Sequence, residues 1–196
     1  LVERAGVLWT YMGPAQLKPE LPAFEWATVA PAHRFVSKWL EQCNHLQAME
    51  GGIDSSHVSF LHRFDVDKDP LHRDSVGPAY SIRDPNPRLE VGESEAGLLI
   101  KSRRNADLDN YYWRITQWIM PWYTLIPPYG DHPITGNAWV PIDDENCWVF
   151  VIGYHPARPL TAHELGAMRA GQGLFVKNSD GRYRPRANKD NDYLID

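Results

Sequence analysis

Cysteine is nearly absent: Cys43 and Cys147 are the only two among 196 residues. Two thiols cannot make a disulfide framework, and they cannot supply the ligands of a four-cysteine iron–sulfur cluster. The expected compartment is the reducing cytoplasm. Long apolar runs are also missing. No stretch reaches the roughly 20 residues that span a bilayer, and no charged-then-apolar signal opens the chain, so no membrane partner is expected. Positive charge is in short supply, with 20 Lys and Arg against 25 Asp and Glu and a net charge of -5. That balance argues against nucleic acid as the main partner. There is no internal repeat and no low-complexity tract. Aromatic rings, in contrast, are plentiful: eight Trp, nine Tyr and six Phe suit a core or a pocket walled by rings. The length allows one sizeable core, or one large domain with a small appendage.

Residues 7–12 (Val-Leu-Trp-Thr-Tyr-Met) read as a strand, and Pro14, Pro19 and Pro22 make 13–24 an extended linker. Residues 33–40 read as a strand with Phe35 and Trp39 on one face. From 43 to 61 the apolar spacing turns helical through Leu46, Met49, Ile53, Phe60 and Leu61. The Gly51-Gly52 pair inside that helix costs roughly 1 kcal/mol per residue relative to Ala, so close packing or a local distortion is expected there. Residues 63–88 read as a long loop. Residues 89–101, 111–125, 136–141 and 147–154 read as strands, with the polar turn Asp143-Asp144-Glu145-Asn146 joining the last two as a hairpin. Thr161 and Glu164 form a capping-box pattern that starts a helix over 159–170. Antiparallel strands with helices grouped rather than alternating predict an α+β fold.

The stretch that carries chemistry is 44–62, Asn-His-Leu-Gln-Ala-Met-Glu-Gly-Gly-Ile-Asp-Ser-Ser-His-Val-Ser-Phe-Leu-His. Its core, Asp54, His57 and His62, is a D-x-x-H-x4-H pattern with Glu50 one turn earlier. Two neutral imidazoles are nitrogen ligands suited to Fe(II), Zn or Cu. A carboxylate three residues before the first His is placed to orient its ring rather than to bind metal. On an ideal helix Glu50, Asp54 and His57 share a stripe. His57 and His62 do not, because five steps of about 100° leave them roughly 140° apart. A shared metal therefore requires the helix to end, kink or widen near 58–61. The remaining histidines, His33, His45, His72, His132, His155 and His163, read as surface or loop residues.

The same stretch closely resembles the opening of the catalytic domain of Rieske non-haem iron oxygenases, in the phthalate-dioxygenase-like branch of their large subunits. The likeness extends through Trp9-Thr-Tyr-Met-Gly-Pro, Trp139-Val-Pro-Ile-Asp-Asp-Glu-Asn and Asn191-Asp-Tyr-Leu-Ile-Asp, and so covers essentially the whole chain. The resemblance implies a helix-grip (Bet v1-like) antiparallel sheet packed on a long helix, truncated at both ends. It implies that 1–24 is the last strand of the Rieske domain with a linker, and that 25–196 is a catalytic non-haem iron domain, incomplete at its C-terminus. It makes His57 and His62 ligands of a mononuclear Fe(II). It makes Asp54 the acidic link from His57 to a cluster histidine of the neighbouring subunit. The implied activity is insertion of oxygen from O2 into an aromatic small molecule, by ring hydroxylation or O-demethylation. A reductase or ferredoxin would donate electrons, and the full-length protein would be a homotrimer.

Two parts of that pattern are absent. The C-x-H and C-x2-H pairs that hold a Rieske [2Fe–2S] cluster do not occur, so the cluster is expected in a missing N-terminal part. The third iron ligand, an Asp in this family, has no matching motif. Asp143, Asp144, Asp190, Asp192 and Asp196 read as turn and surface residues. Trp113, Trp118, Trp122, Tyr111, Tyr112 and Tyr123 are candidates to wall a cavity over the iron, although alternation places only some of them inside. Lys101, Arg103 and Arg104 suit a substrate carboxylate, but read more simply as a solvated strand end. Two rival functions use the same residues: a zinc hydrolase built on the His pair, and a helix-grip ligand-binding module in which the histidines are idle.

Overall fold

A computed structural model describes residues 1–65, 68–72, 74–177 and 181–195. Its centre is a seven-stranded, wholly antiparallel sheet. Six strands form a meander: β4 (Arg88–Ser94), β5 (Gly97–Asn105), β6 (Tyr111–Ile119), β7 (Tyr123–Ile126), β8 (Ile134–Pro141) and β9 (Cys147–Tyr154). β3 (Arg34–Glu41), which precedes them in sequence, closes the other edge beside β9. A separate hairpin, β1 (Val2–Arg4) and β2 (Val7–Trp9), turns at Ala5-Gly6, where both residues have positive φ as a tight two-residue turn requires. The helices are short: α1 (Glu25–Thr28), α2 (His45–Ile53), α3 (Gly77–Arg83) and α4 (Ala162–Arg169). The α+β class holds. The long helix does not occur among the described residues, where the nine-residue α2 is the longest α-helix. No described helix is long and apolar enough to cross a membrane.

Several boundaries differ from the sequence reading, each for a local reason. The run 89–101 is two strands, because Glu95 and Ala96 make a tight turn with Ser94 opposite Gly97. Pro121 interrupts 111–125, which becomes β6 and β7. The first strand run splits off the β1–β2 hairpin and stops at Trp9 rather than Met12. Within the supposed loop 63–88, Pro78 sits in the first turn of α3, where its missing N–H is no loss. The helix expected over 43–61 stops at Ile53. The hairpin at 143–146 forms as read: Asp143 Oδ1 accepts from Glu145 N at 2.9 Å, and Pro141 pairs with Cys147.

The central strands are covered on both faces, which accounts for the wealth of rings. On one face α2 and α4 pack with Met49, Trp139, Val149, Val151, Met168 and Phe175. On the other, Tyr123, Ala138, Ile152 and Tyr154 meet Trp9, Phe24 and Trp26 from the N-terminal segment and Trp122 from the connection between β6 and β7. An apolar groove of about 340 Å³ lies on this second face, lined by Trp9, Phe24, Trp26, Trp122 and Phe150 among others. The cavity-wall candidates therefore divide. Tyr112 and Trp118 point to the α2 face, Trp122 and Tyr123 to the opposite one, and Tyr111 and Trp113 remain exposed.

The glycine pair is explained at one position only. A Cβ on Gly52 would lie 2.3 Å from the Trp139 ring, which is buried and cannot yield, whereas a Cβ on Gly51 meets nothing within 4 Å. Gly51→Ala is expected to stabilise the protein by about 0.5–1 kcal/mol through helix propensity, and Gly52→Ala to destabilise it by about 1–3 kcal/mol through overpacking. Urea denaturation midpoints moving the same way in both variants would refute this account.

Helix α4 begins with the capping box read from the sequence. Thr161 Oγ1 accepts from Glu164 N at 3.1 Å, and Glu164 accepts in return from Thr161 N at 2.7 Å. Arg158 forks onto the same carboxylate at 2.8 and 2.9 Å. Burial opposes the charge on Glu164, but the hydrogen bonds from Arg158 and Thr161 outweigh it and hold the carboxyl at about 2. A depressed carboxylate stabilises the fold fully above its unfolded value near 4.5, and that stability is lost as pH falls toward about 2. The contribution is on the order of 3 kcal/mol. Glu164→Gln should lower Tm at pH 7 by roughly 6–12 °C and flatten the Tm–pH curve between those limits. A variant curve running parallel to the wild type there would rule the linkage out.

Candidate metal centre

The candidate site is built where α2 ends. Asn44 caps its start by accepting from Leu46 N at 3.0 Å, and Asp54 N closes its last turn onto Glu50 O at 3.1 Å. The Asp54 carboxylate then takes over from the helix. Oδ1 accepts from Ser56 N at 2.7 Å and from the Ser56 hydroxyl, and Oδ2 accepts from His57 N at 3.1 Å. Such short-range side-chain bonds compete with helix continuation, so the chain turns at Asp54. It re-enters a single 3-10 turn at His57–Ser59, closed by Phe60 N and Leu61 N onto His57 O at 3.0 and 2.8 Å.

This path brings His57 and His62 together. Their ring centroids are 5.2 Å apart with planes at 72°. The distortion that a shared metal requires is present, earlier than 58–61: the helix ends before His57 instead of bending after it. Glu50 stays on α2 and is exposed, so the stripe of Glu50, Asp54 and His57 is not realised. Asp54 Oδ2 faces His57 Nδ1 at 3.6 Å, beyond hydrogen-bond length but within reach of electrostatic orientation, and Nδ1 is buried without a hydrogen-bond partner. Partial burial resists the charge on Asp54, but the Ser56 hydroxyl and amide, the His57 amide and the His57 ring hold its carboxyl below the usual value. Burial and the neighbouring His57, partly opposed by Asp65, lower His62 and so favour its neutral, ligating form.

Beneath this turn lies Arg104, which alternation on β5 places on the α2 face. It is 1% exposed, not solvated. Nη2 donates to Ser55 O at 2.7 Å and Ser59 Oγ at 3.2 Å, Nη1 to Ser55 Oγ at 3.3 Å and Ser102 Oγ at 3.4 Å, and Nε to Asp84 O at 3.1 Å. Arg103 points the other way and lies over Tyr111, 4.2 Å from the ring centroid. The solvated strand end read for Arg104 is therefore wrong, although Ser102 and Arg104 two residues apart signalled a shared face. Farther along the same face, toward the other end of β5 and β6, Trp118, Thr124 and Asn137 form one cross-strand row over β6, β7 and β8. Trp118 Nε1, Thr124 Oγ1 and Asn137 Oδ1 are buried without a hydrogen-bond partner.

Two of the histidines read as surface or loop residues lie off the surface. His155 is buried; its Nδ1 accepts from Ala157 N and Arg158 N at 3.2 Å, so Nε2 carries the proton donated to Asp131 at 2.9 Å. His72 packs its ring on Tyr129 at 4.8 Å, and burial, with Arg114 and His132 acting against Asp69, lowers it to about 4. The spare carboxylates behave as read where they can be followed: Asp143 shapes its turn and Asp190 pairs with Arg184. Asp196 lies outside the described residues. Among the described residues no group of three or more His, Cys, Asp or Glu could hold a metal. The structure thus supplies a pair of imidazoles with an orienting carboxylate, which fits two corners of a metal site.

A sequence model for the family described as LigXa C-terminal domain like matches residues 10–196. The chain belongs to this family, and its homologues are Rieske-type oxygenase subunits. It is 32% identical, over 99% of its length, to the 3-chlorobenzoate-3,4-dioxygenase oxygenase subunit of Comamonas testosteroni, of which it covers 47%. It is 29% identical to the phthalate 4,5-dioxygenase oxygenase subunit of Pseudomonas putida, matching 99% of this chain and 45% of that one. The chain therefore spans about half the length of these curated relatives. Among solved structures, dicamba monooxygenase bound to 3,6-dichlorosalicylic acid matches 86% of this chain and 54% of its own, with a TM-score of 0.59 at 16% identity, which supports the shared fold.

Proposed function

We propose that this chain is the catalytic part of a Rieske-type oxygenase subunit that inserts oxygen from O2 into an aromatic small molecule. The observation that carries the reading is the convergence of the His57 and His62 rings at 5.2 Å, directly after a carboxylate-stopped helix. When bound there, Fe(II) supplies the redox chemistry that activates O2, with further electrons from a Rieske [2Fe–2S] cluster whose ligands are not among these residues and from a reductase or ferredoxin. The rest is done by the protein's own groups. Asp54 orients the His57 ring so that the Nδ1 edge faces the carboxylate and the Nε2 lone pair is left for metal. Burial keeps His62 neutral and able to ligate. The polar row of Trp118, Thr124 and Asn137 offers hydrogen bonds to a polar substituent on a ring held against the α2 face.

The relatives named above act, by their names, on 3-chlorobenzoate and phthalate, and an aromatic acid is accordingly the first substrate class to test. Metal analysis of the full-length protein is expected to find iron. His57→Ala and His62→Ala should each lose it while keeping the far-UV circular dichroism of the wild type. Zinc in place of iron would favour the hydrolase. Unchanged ligand affinity and cellular role in the double variant would favour the binding module.

Asp54 is the second testable part. Its side chain is 39% exposed while still touching His57, which suits a link from that ring to a cluster ligand of a neighbouring subunit in a trimer. Asp54→Asn keeps one acceptor oxygen, for the Ser56 amide that opens the turn, but loses the second acceptor and the charge. Iron should stay bound, and stopped-flow reduction of the site should slow by roughly tenfold or more. Reduction at the wild-type rate would eliminate the bridging role.

A further inference from the structure

We propose that Arg104 is a positioning residue for the metal centre: its guanidinium fixes the backbone of turn 55–59 and thereby the approach of the His57 and His62 rings. The proposal rests on the metal reading given above. Ser55 and Ser59 stand two residues before and two after His57, and both are held by the same nitrogen, Nη2, at 2.7 and 3.2 Å. The other two nitrogens are tied to rigid elements, Nη1 to Ser102 on β5 and Nε to the backbone of Asp84 at the end of α3. The planar fork thus references the histidine turn to the sheet and to a second helix at once. Its burial makes a merely incidental role expensive, since no ion pair among the described residues includes Arg104 and all its partners are neutral oxygens.

Charge and geometry predict opposite signs here. A buried cation close to a dication site disfavours metal binding, so if Arg104 acted through charge alone, neutralising it would tighten binding. If it acts through geometry, losing the fork loosens the turn and weakens binding even when the charge is kept. Lysine separates the two, because an ammonium keeps the charge as a single point donor and cannot hold Ser55 and Ser59 while also reaching Ser102 and Asp84.

The experiment is a titration with Co(II) of the full-length protein, depleted of its mononuclear metal and with the cluster oxidised, followed by calorimetry and by the electron paramagnetic resonance spectrum of bound Co(II). Arg104→Lys and Arg104→Gln are both expected to weaken Co(II) binding roughly 10- to 100-fold and to alter its spectrum. Ser59→Ala leaves the guanidinium in place and removes one acceptor, and should weaken binding by roughly 2- to 10-fold; it keeps the question open to refutation where an Arg104 variant fails to fold. Wild-type or tighter affinity in folded Arg104→Lys and Arg104→Gln overturns the proposal, as does a lowered Tm with unchanged Co(II) affinity and spectrum. Unchanged affinity in Ser59→Ala overturns it as well. His57→Ala is the reference: if it binds Co(II) like the wild type, the metal reading itself falls, whatever the Arg104 variants show.

Discussion

The site depends on one competition, between the backbone of α2 and the carboxylate of Asp54. A helix continued past Ile53 would send His57 and His62 to different sides. Asp54 instead accepts the amides of Ser56 and His57, satisfying donors that helix continuation would have paired with carbonyls. The chain leaves the helix axis and the two rings meet. Gly52 matters to the same outcome, because its missing side chain lets the last turn of α2 sit on Trp139 and sets the point from which the turn departs.

A turn of this kind is local and weak by itself, since each capping bond contributes only about 1 kcal/mol. The surrounding structure supplies what it lacks. From the sheet side Arg104 binds the turn by way of Ser55 and Ser59, and α3 is brought into the same network through Asp84, whose carboxylate also accepts from Asn105 N and Nδ2 at 2.7 and 2.9 Å. Burying that guanidinium is unfavourable unless its donors are met. Five contacts from three nitrogens meet them. The α2 face is in this way polar near β5 and apolar near β9, where Val149 and Val151 pack with Trp139. Hydrogen-bonded geometry governs one half of the sheet and close packing the other.

How much of this was legible in the sequence follows from the range of each interaction. The 143–146 hairpin, the Thr161–Glu164 box and the class of fold are written in residues a few positions apart, and they form as read. The end of α2 was also written locally, in Asp54-Ser55-Ser56, but the apolar spacing that runs on to Leu61 outweighed it. Phe60 and Leu61 in fact lie exposed beyond the turn. α3 was hidden because Gly77 and Pro78 signal a loop unless Pro is placed in a first helical turn. Arg104 was the least legible residue. Alternation assigns it a face, but whether a charge on that face meets water or three serines depends on strands and helices up to 49 residues away in sequence.

A second D-x-x-H shows where the meaning of the motif resides. Asp69 and His72 repeat the geometry of Asp54 and His57 closely: Asp69 Oδ1 accepts from Leu71 N at 2.9 Å, and Oδ2 lies 3.5 Å from His72 Nδ1. The local turn is therefore a property of the spacing itself, an aspartate that caps its own following amides and faces a ring three residues on. Surroundings separate the two cases. His72 is directed into Tyr129, with His132 beyond it at 6.3 Å, where burial suppresses its charge. His57 meets a second imidazole from its own segment, at the surface end of a helix, beside a carboxylate still partly open to solvent. An aspartate and one histidine make an oriented ring. A pair of rings held from below by a buried cation is the arrangement proposed to take a metal, and only the first of those arrangements can be read from a spacing of three.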